Sequence, residues 1–147
     1  MTDDGGFAMT GFPHAEEIGM RLMKTPKGEA KIVIPYDEKL VGDPETGVVH
    51  GGVITTLLDT GCGVAAISKT GLMGGIATLD LRIDYMRPAK PGQALTAVCE
   101  CYRVTRSVAF ARGAAYDGDP DENSGDPVAT ASGAFMITKP KKKEGAK

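Results

Sequence analysis

The chain has 147 residues, 41% of them hydrophobic and 24% charged, with a formal net charge of −2. That length suits one domain with a substantial core and is short for two. The near-neutral balance gives no electrostatic reason to expect nucleic acid or an anionic membrane as a partner. No run approaches the ~20 apolar residues of a membrane span. The N-terminus, MTDDGGFAM, is acidic where a secretory signal is basic, so export is not expected. Three cysteines, an odd number, argue against a disulfide framework. Cys99 and Cys101 lie two apart in a predicted strand and point the same way, too far apart for a bridge. The expectation is a reduced, cytoplasmic protein.

In chain order, residues 1–12 are Gly-rich and expected to be loose. Residues 14–23 read as a short amphipathic helix with acids early and a base late, as the helix dipole prefers. Residues 30–35, AKIVIP, read as a strand stopped by Pro35. A turn-rich segment, Gly42-Asp-Pro-Glu-Thr-Gly47, then feeds a long helix over 48–68, VVHGGVITTLLDTGCGVAAIS. Apolar residues surround most of that helix, the pattern of a buried rod. Gly61 and Gly63 each cost roughly 1 kcal/mol against Ala, so a close approach to the backbone is expected there. One charge, Asp59, sits in the middle. Residues 69–75, KTGLMGG, end the helix with C-cap glycine chemistry.

The period then changes to two. Residues 77–86 alternate, with Leu79, Leu81, Ile83 and Tyr85 on one face and Thr78, Asp80, Arg82 and Asp84 on the other. Residues 93–104, 107–116 and 128–138 are further strands, and four consecutive strands predict an antiparallel meander covering the helix. This is an α+β arrangement: an antiparallel sheet wrapped around one long central helix. Its open edge calls for a partner, which side-by-side pairing of two sheets in a dimer supplies. The chain divides into an N-terminal segment with a short helix (1–29), the main domain (30–138) and a basic flexible tail (139–147).

The helix start offers backbone N–H groups near Gly51, Gly52 and Val53, an anion or oxyanion site backed by the positive end of the helix dipole. Alternatively, the two glycines only shape a tight turn into the helix. His50 either polarises a carbonyl or caps and packs. Asp59 is either a buried acid satisfied by a Thr hydroxyl or by Arg82, or a carboxylate that activates water or attacks a carbonyl. Gly51 and Asp59 lie eight residues apart, roughly 12 Å along the helix. A reacting carbonyl needs both groups within about 3 Å. One chain cannot supply both, so if both act, two chains build each site. Cys62 and His50 are roughly 18 Å apart by the same measure, which excludes a Cys–His pair within the chain. There is no GxSxG elbow, no phosphate-binding GxxxxGK[ST] and no zinc pattern. Asp117, Asp119, Asp121 and Asn123 imitate a calcium loop, but its sixth position is Glu122 instead of Gly and its twelfth is Val128. Arg87, Lys90, Arg103 and Arg106 sit at strand reversals, where they either hold phosphates or are surface charge.

His50-Gly-Gly52, Asp59 seven residues later, and the strand over 78–89, TLDLRIDYMRPA, together resemble the hotdog-fold acyl-CoA thioesterases of the PaaI type, over roughly residues 40–137. The resemblance implies hydrolysis of acyl-CoA thioesters without metal or redox cofactor, by dimers that pair into tetramers. It implies Asp59 as base or nucleophile, the Gly51 or Gly52 N–H as the donor to the thioester carbonyl, His50 as its support and Thr78 as the hydroxyl that orients water. Relatives place Asn where this chain has Asp43; an ionised Asp can only accept hydrogen bonds, and near Asp59 it would add like-charge repulsion. Thr78, on the same face as Asp80, fits this role only at a strand bend. Arg87, Lys90, Arg103 and Arg106 would anchor the CoA phosphates. A non-catalytic acyl-CoA binder is the alternative, and a hotdog dehydratase or hydratase a lesser one, since those carry a His five residues after the Asp and this chain has Val64.

Overall fold

The computed structural model describes residues 5–122 and 125–139. Asn123 and all of the predicted tail except Lys139 lie outside the described residues. The chain folds as β1 (Phe7–Ala8), α1 (Pro13–Glu17), β2 (Arg21–Met23), β3 (Glu29–Ile34), a short 3-10 turn, the hairpin β4 (Val41–Asp43) and β5 (Val48–Val49), and α2 (Gly51–Thr70). Four long strands follow: β6 (Ile76–Tyr85), β7 (Leu95–Val104), β8 (Val108–Asp117) and β9 (Ala129–Ile137). One seven-stranded antiparallel sheet, in the order β1-β2-β3-β7-β8-β9-β6, packs on α2. This is the predicted α+β architecture.

The helix buries Ile54, Leu57, Leu58, Cys62, Ala65 and Ala66 against the sheet, at the three- and four-residue spacing of one helical face. The sheet meets them with small residues, Ala97, Ala109, Ala111 and Ala115, all fully buried, which let the helix axis come close. Gly61 lies at the nearest approach, where a Cβ would stand 2.7 Å from the Cys99 Sγ. Helix α2 ends at Gly71, whose φ of 72° closes the C-cap. By length and mean hydropathy α2 could also cross a membrane, which corrects the expectation that no stretch is long enough; here its apolar face is packed against the sheet. All three cysteines are free and buried. The neighbouring Cys62 thiol, together with burial, pushes the Cys99 thiol up, so it stays neutral and inert.

Several expectations are corrected. Residues 14–23 do not form one helix: α1 stops at Glu17, Gly19 turns the chain with a φ of 77°, and 21–23 extend into β2. Residues 7–12 are not loose, since β1 pairs with β2 and Met9 is buried. The meander has three strands, β7-β8-β9; β6 pairs with β9 at the sheet edge and not with β7, its neighbour in sequence. The alternation along β6 is also broken. A bulge between Thr78 and Asp80 makes Leu79 an extra residue, half exposed, so Thr78 joins Leu81, Ile83 and Tyr85 on the helix side.

Candidate active site

That bulge builds the centre of the site. It supplies a strand bend at Thr78, whose hydroxyl donates a 2.8 Å hydrogen bond to Oδ1 of Asp59. Asp59 lies off the sheet-packed face of α2 and is half-buried. Arg82, the other partner considered for Asp59, instead reaches Asp84, 3.3 Å away on the opposite side of β6. Asp59, Thr60 and Thr78 provide the polar part of a cavity of about 270 Å³. The rest of its wall is apolar, from Gly63, Val64 and Ile67 of α2, from Met73, Ile76 and Phe135, and from Met9, Phe12 and Leu22 of the N-terminal segment. Val64 and Ile67 therefore line this hollow, which is why the helix looks apolar nearly all round in sequence.

The helix start is a second centre. His50 is the N-cap, and its Nδ1 accepts from the Gly52 N–H at 2.8 Å. With Nδ1 as acceptor, a neutral imidazole carries its proton on Nε2. A Cβ at position 52 would press on the imidazole, 2.9 Å from Nδ1, so Gly52 serves the cap. The Val53 N–H bonds the His50 carbonyl at 3.0 Å. Of the first three N–H groups, only that of Gly51 has no hydrogen-bond partner among the described residues. This narrows the sequence reading, which took Gly51 and Gly52 as equal donors. Tyr85, a residue the sequence reading did not assign, holds this turn from β6: its hydroxyl bonds Thr55 and the Gly51 carbonyl. Its place on the helix side of β6 was the available signal.

Asp43 is fully engaged in its own hairpin. Its carboxylate accepts from the Thr46 hydroxyl at 2.8 Å and from the Glu45 N–H at 3.0 Å. Those bonds hold its carboxyl below the usual range, the Thr46 bond first. Within the chain the exposed Asp43 serves as a turn former.

The four cations do not converge within one chain. Arg87 is taken up by a fork onto Asp117, at 2.7 and 2.8 Å, with Asp126 at 3.0 Å from its Nε. Those bonds hold the Asp117 carboxyl down at about 2 and raise Arg87 further. Arg87 is thus a structural clamp between the β6–β7 connection and the end of β8. Asp117 also accepts from the Lys90 N–H at 2.8 Å, while the Lys90 side chain is exposed. Asp119 and Asp121 pair with Lys31, each at 3.7 Å, so the acidic loop spends its charge on ion pairs. Arg103 and Arg106 are exposed at the far end of β7, about 30 Å from Lys90 by strand rise.

This geometry has relatives. Residues 46–124 match the family model described as "Thioesterase superfamily". The medium/long-chain acyl-CoA thioesterase YigI of Escherichia coli K12 is 29% identical over 113 residues, covering 68% of this chain and 72% of YigI. A crystal structure of a Pseudomonas aeruginosa protein superposes with a TM-score of 0.75 at 42% identity, over 86% of this chain and 91% of that one. A mutant structure of the phenylacetic acid degradation protein PaaI of Thermus thermophilus gives 0.71 at 24% identity, over 85% and 98%, and this likeness shows the fold. The chain, with its sheet wrapped on one helix and its His-Gly-Gly turn at the helix start, belongs to the thioesterase superfamily and has the hotdog fold of PaaI.

Proposed function

We propose that this protein hydrolyses acyl-CoA thioesters to free acid and CoA, with Asp59 driving attack on a carbonyl held by the Gly51 N–H of a second subunit. The observation that carries this reading is the Thr78–Asp59 hydrogen bond at the edge of an apolar cavity. A carboxylate with one oxygen fixed by a hydroxyl keeps its other oxygen for water. Water's oxygen attacks the carbonyl carbon while Asp59 takes its proton; the tetrahedral oxyanion rests on the partner's Gly51 N–H and on the helix dipole behind it. Collapse breaks the C–S bond and releases the CoA thiolate, which takes up a proton. In the alternative route Asp59 itself attacks and a mixed anhydride is then hydrolysed. Label in Asp59 after a single turnover in ¹⁸O-water would mark the second route with water attacking the Asp59 carboxyl carbon; water attack at the acyl carbon places the label in the released acid in either route. His50 and Tyr85 hold the turn that presents Gly51, and Asp43 holds the hairpin before it.

The same reading requires a dimer. The roughly 12 Å between Gly51 and Asp59 on one helix prevents a single chain from closing the site, and β6 offers a ten-residue strand at the sheet edge for pairing. Exposed Val98, Tyr102, Val104 and Met136 give an apolar surface for joining two dimers into a tetramer. In a two-fold pair with antiparallel helices, Lys90 comes to the same end as Arg103 and Arg106 of the partner subunit, a set suited to the CoA phosphates. Three free, buried cysteines accord with a cytoplasmic location. No nucleic acid or membrane partner and no metal or redox cofactor enters this reading. Its test is thiol release from short, medium, long and aryl acyl-CoAs by wild type and Asp59→Asn. Turnover of at least one substrate, lost in the variant, is expected. Binding without release would favour the non-catalytic binder, and full activity of Asp59→Asn would remove the catalytic assignment.

A further inference from the structure

Helix α2 carries four threonines, and they use their hydroxyls in two ways. Thr55, Thr56 and Thr70 turn theirs back on the helix, donating to the carbonyls of Gly51, Gly52 and Ala66 at 3.4, 3.0 and 2.9 Å. That is the ordinary habit of threonine inside a helix. Thr60 departs from it. Its hydroxyl has no hydrogen-bond partner among the described residues, and its side chain borders the cavity beside Asp59. Its neighbours along the same stripe of α2, Gly63, Val64 and Ile67, are apolar. Valine would fill the position with nearly the same shape and helix propensity, so the hydroxyl is what threonine adds there. Asp59 has the complementary feature. Thr78 holds its Oδ1 at 2.8 Å, while Oδ2 has no partner among the described residues. An unpaired carboxylate oxygen and an unpaired hydroxyl, on consecutive residues, therefore open on one cavity. A held water needs more than one polar partner. Among the lining residues Asp59, Thr60 and Thr78 supply the oxygen atoms of side chains, and Thr78 is already spent on Oδ1.

We propose that Thr60 is a positioning residue for the hydrolysis: its hydroxyl and Oδ2 of Asp59 together hold the water that attacks the carbonyl. The proposal rests on the thioesterase reading, with Asp59 as the base. The water donates one O–H to Oδ2 and the other to Oγ1 of Thr60, which leaves a lone pair of its oxygen for the carbonyl carbon. As the new C–O bond forms, the first proton passes to Oδ2. The second stays on the attacking oxygen, which becomes the hydroxyl of the tetrahedral intermediate and then of the released acid. Thr60 thus takes no proton. It removes the rotation that a water held by the carboxylate alone would keep, and so raises the share of bound waters aimed at the carbon.

The test compares wild type, Thr60→Val and Thr60→Ser in thiol release from the acyl-CoA that wild type turns over best, together with crystal structures of wild type and Thr60→Val. Thr60→Val, which keeps shape and helix propensity, should lower kcat about tenfold through loss of one hydrogen bond, with KM and the thermal midpoint unchanged. Thr60→Ser keeps the hydroxyl and should return kcat to near the wild-type value. The wild-type crystal should show an ordered water within hydrogen-bond distance of both Thr60 Oγ1 and Asp59 Oδ2, displaced in Thr60→Val. A wild-type kcat in Thr60→Val, beside an inactive Asp59→Asn, would overturn the proposal and leave the hydrolase reading standing. Equal losses in the valine and serine variants, a change confined to KM, or a wild-type crystal with no water bridging the two atoms would overturn it as well. If wild type releases no thiol from any acyl-CoA, the hydrolase reading itself fails and the role of Thr60 falls with it.

Discussion

Gly61 and Gly63 stand two residues apart on α2 and border opposite kinds of space. A Cβ at 61 would press into the Cys99 sulfur at 2.7 Å, whereas one at 63 would find an ordinary contact at 3.8 Å. The first glycine lets the helix lie on the sheet. The second stands where the helix is held away from its surroundings, on the side that carries Asp59, Thr60, Val64 and Ile67. A single helix thus divides its labour by face: the sheet side is filled to the limit of packing, and the cavity side leaves room beside one carboxylate. Stability and chemistry should respond to different substitutions on the same rod.

The largest expected effect is on the cavity side. Asp59→Asn should lower kcat by about 10³-fold, within the usual range for loss of a general base, while the thermal midpoint stays that of wild type. Activity and melting measured on one preparation check it; a large fall in the midpoint would mean that Asp59 belongs to the packing.

The next effect lies away from both faces. Arg87→Ala leaves the nearly buried Asp117 carboxylate without its fork and should cost about 3 kcal/mol at neutral pH. The folded pKa of Asp117, about 2, lies below the ordinary 3.8, so its contribution is complete above about pH 4 and is lost as the pH falls through 2. Urea unfolding of wild type should lose stability across that window, and Arg87→Ala should be flatter there. The folded variant should keep kcat and raise KM, since this clamp holds the loop that carries Lys90 and not the carboxylate at the site.

On the sheet side, Gly61→Ala should destabilise by about 2 kcal/mol through overpacking against Cys99. The same change at Gly63 should not. Chemical denaturation of the two variants side by side is the sharpest form of the comparison, and equal losses would erase the distinction between the faces. The smallest effect is expected from Thr78→Val, about tenfold in kcat from loss of one hydrogen bond to a charged group, with Thr78→Ser close to wild type.

Much of this was legible in the chain. The long helix, its glycine stop and the four long strands follow from periodicity, because each is decided by residues close in sequence. The distance between Gly51 and Asp59 follows from helix rise alone. What was not legible depends on contacts between remote segments. The alternation over 77–86 cannot reveal a bulge at Leu79, since a bulge is defined by the partner strand, β9, some fifty residues on. The commitment of Arg87 to Asp117 is set by where the β6–β7 connection crosses the sheet. The capping of the Gly52 N–H by His50 is local, but the same dipeptide also fits a free pair of donors, and only the imidazole rotamer decides. The N-terminal wall of the cavity was hidden because β1 is two residues long, too short to carry a period.

The shared site can be tested by complementation. Gly51→Pro deletes the N–H that has no partner among the described residues; proline is tolerated at the first helical position, and His50 already has the extended backbone, φ −57° and ψ 135°, that precedes a proline. Chains carrying Asp59→Asn and chains carrying Gly51→Pro, each inactive alone, are unfolded together and refolded as a mixture. If each site joins Asp59 of one chain to Gly51 of the other, half the dimers are mixed and each holds one intact site, giving about a quarter of wild-type activity. A mixture no more active than its two parents would contradict the account.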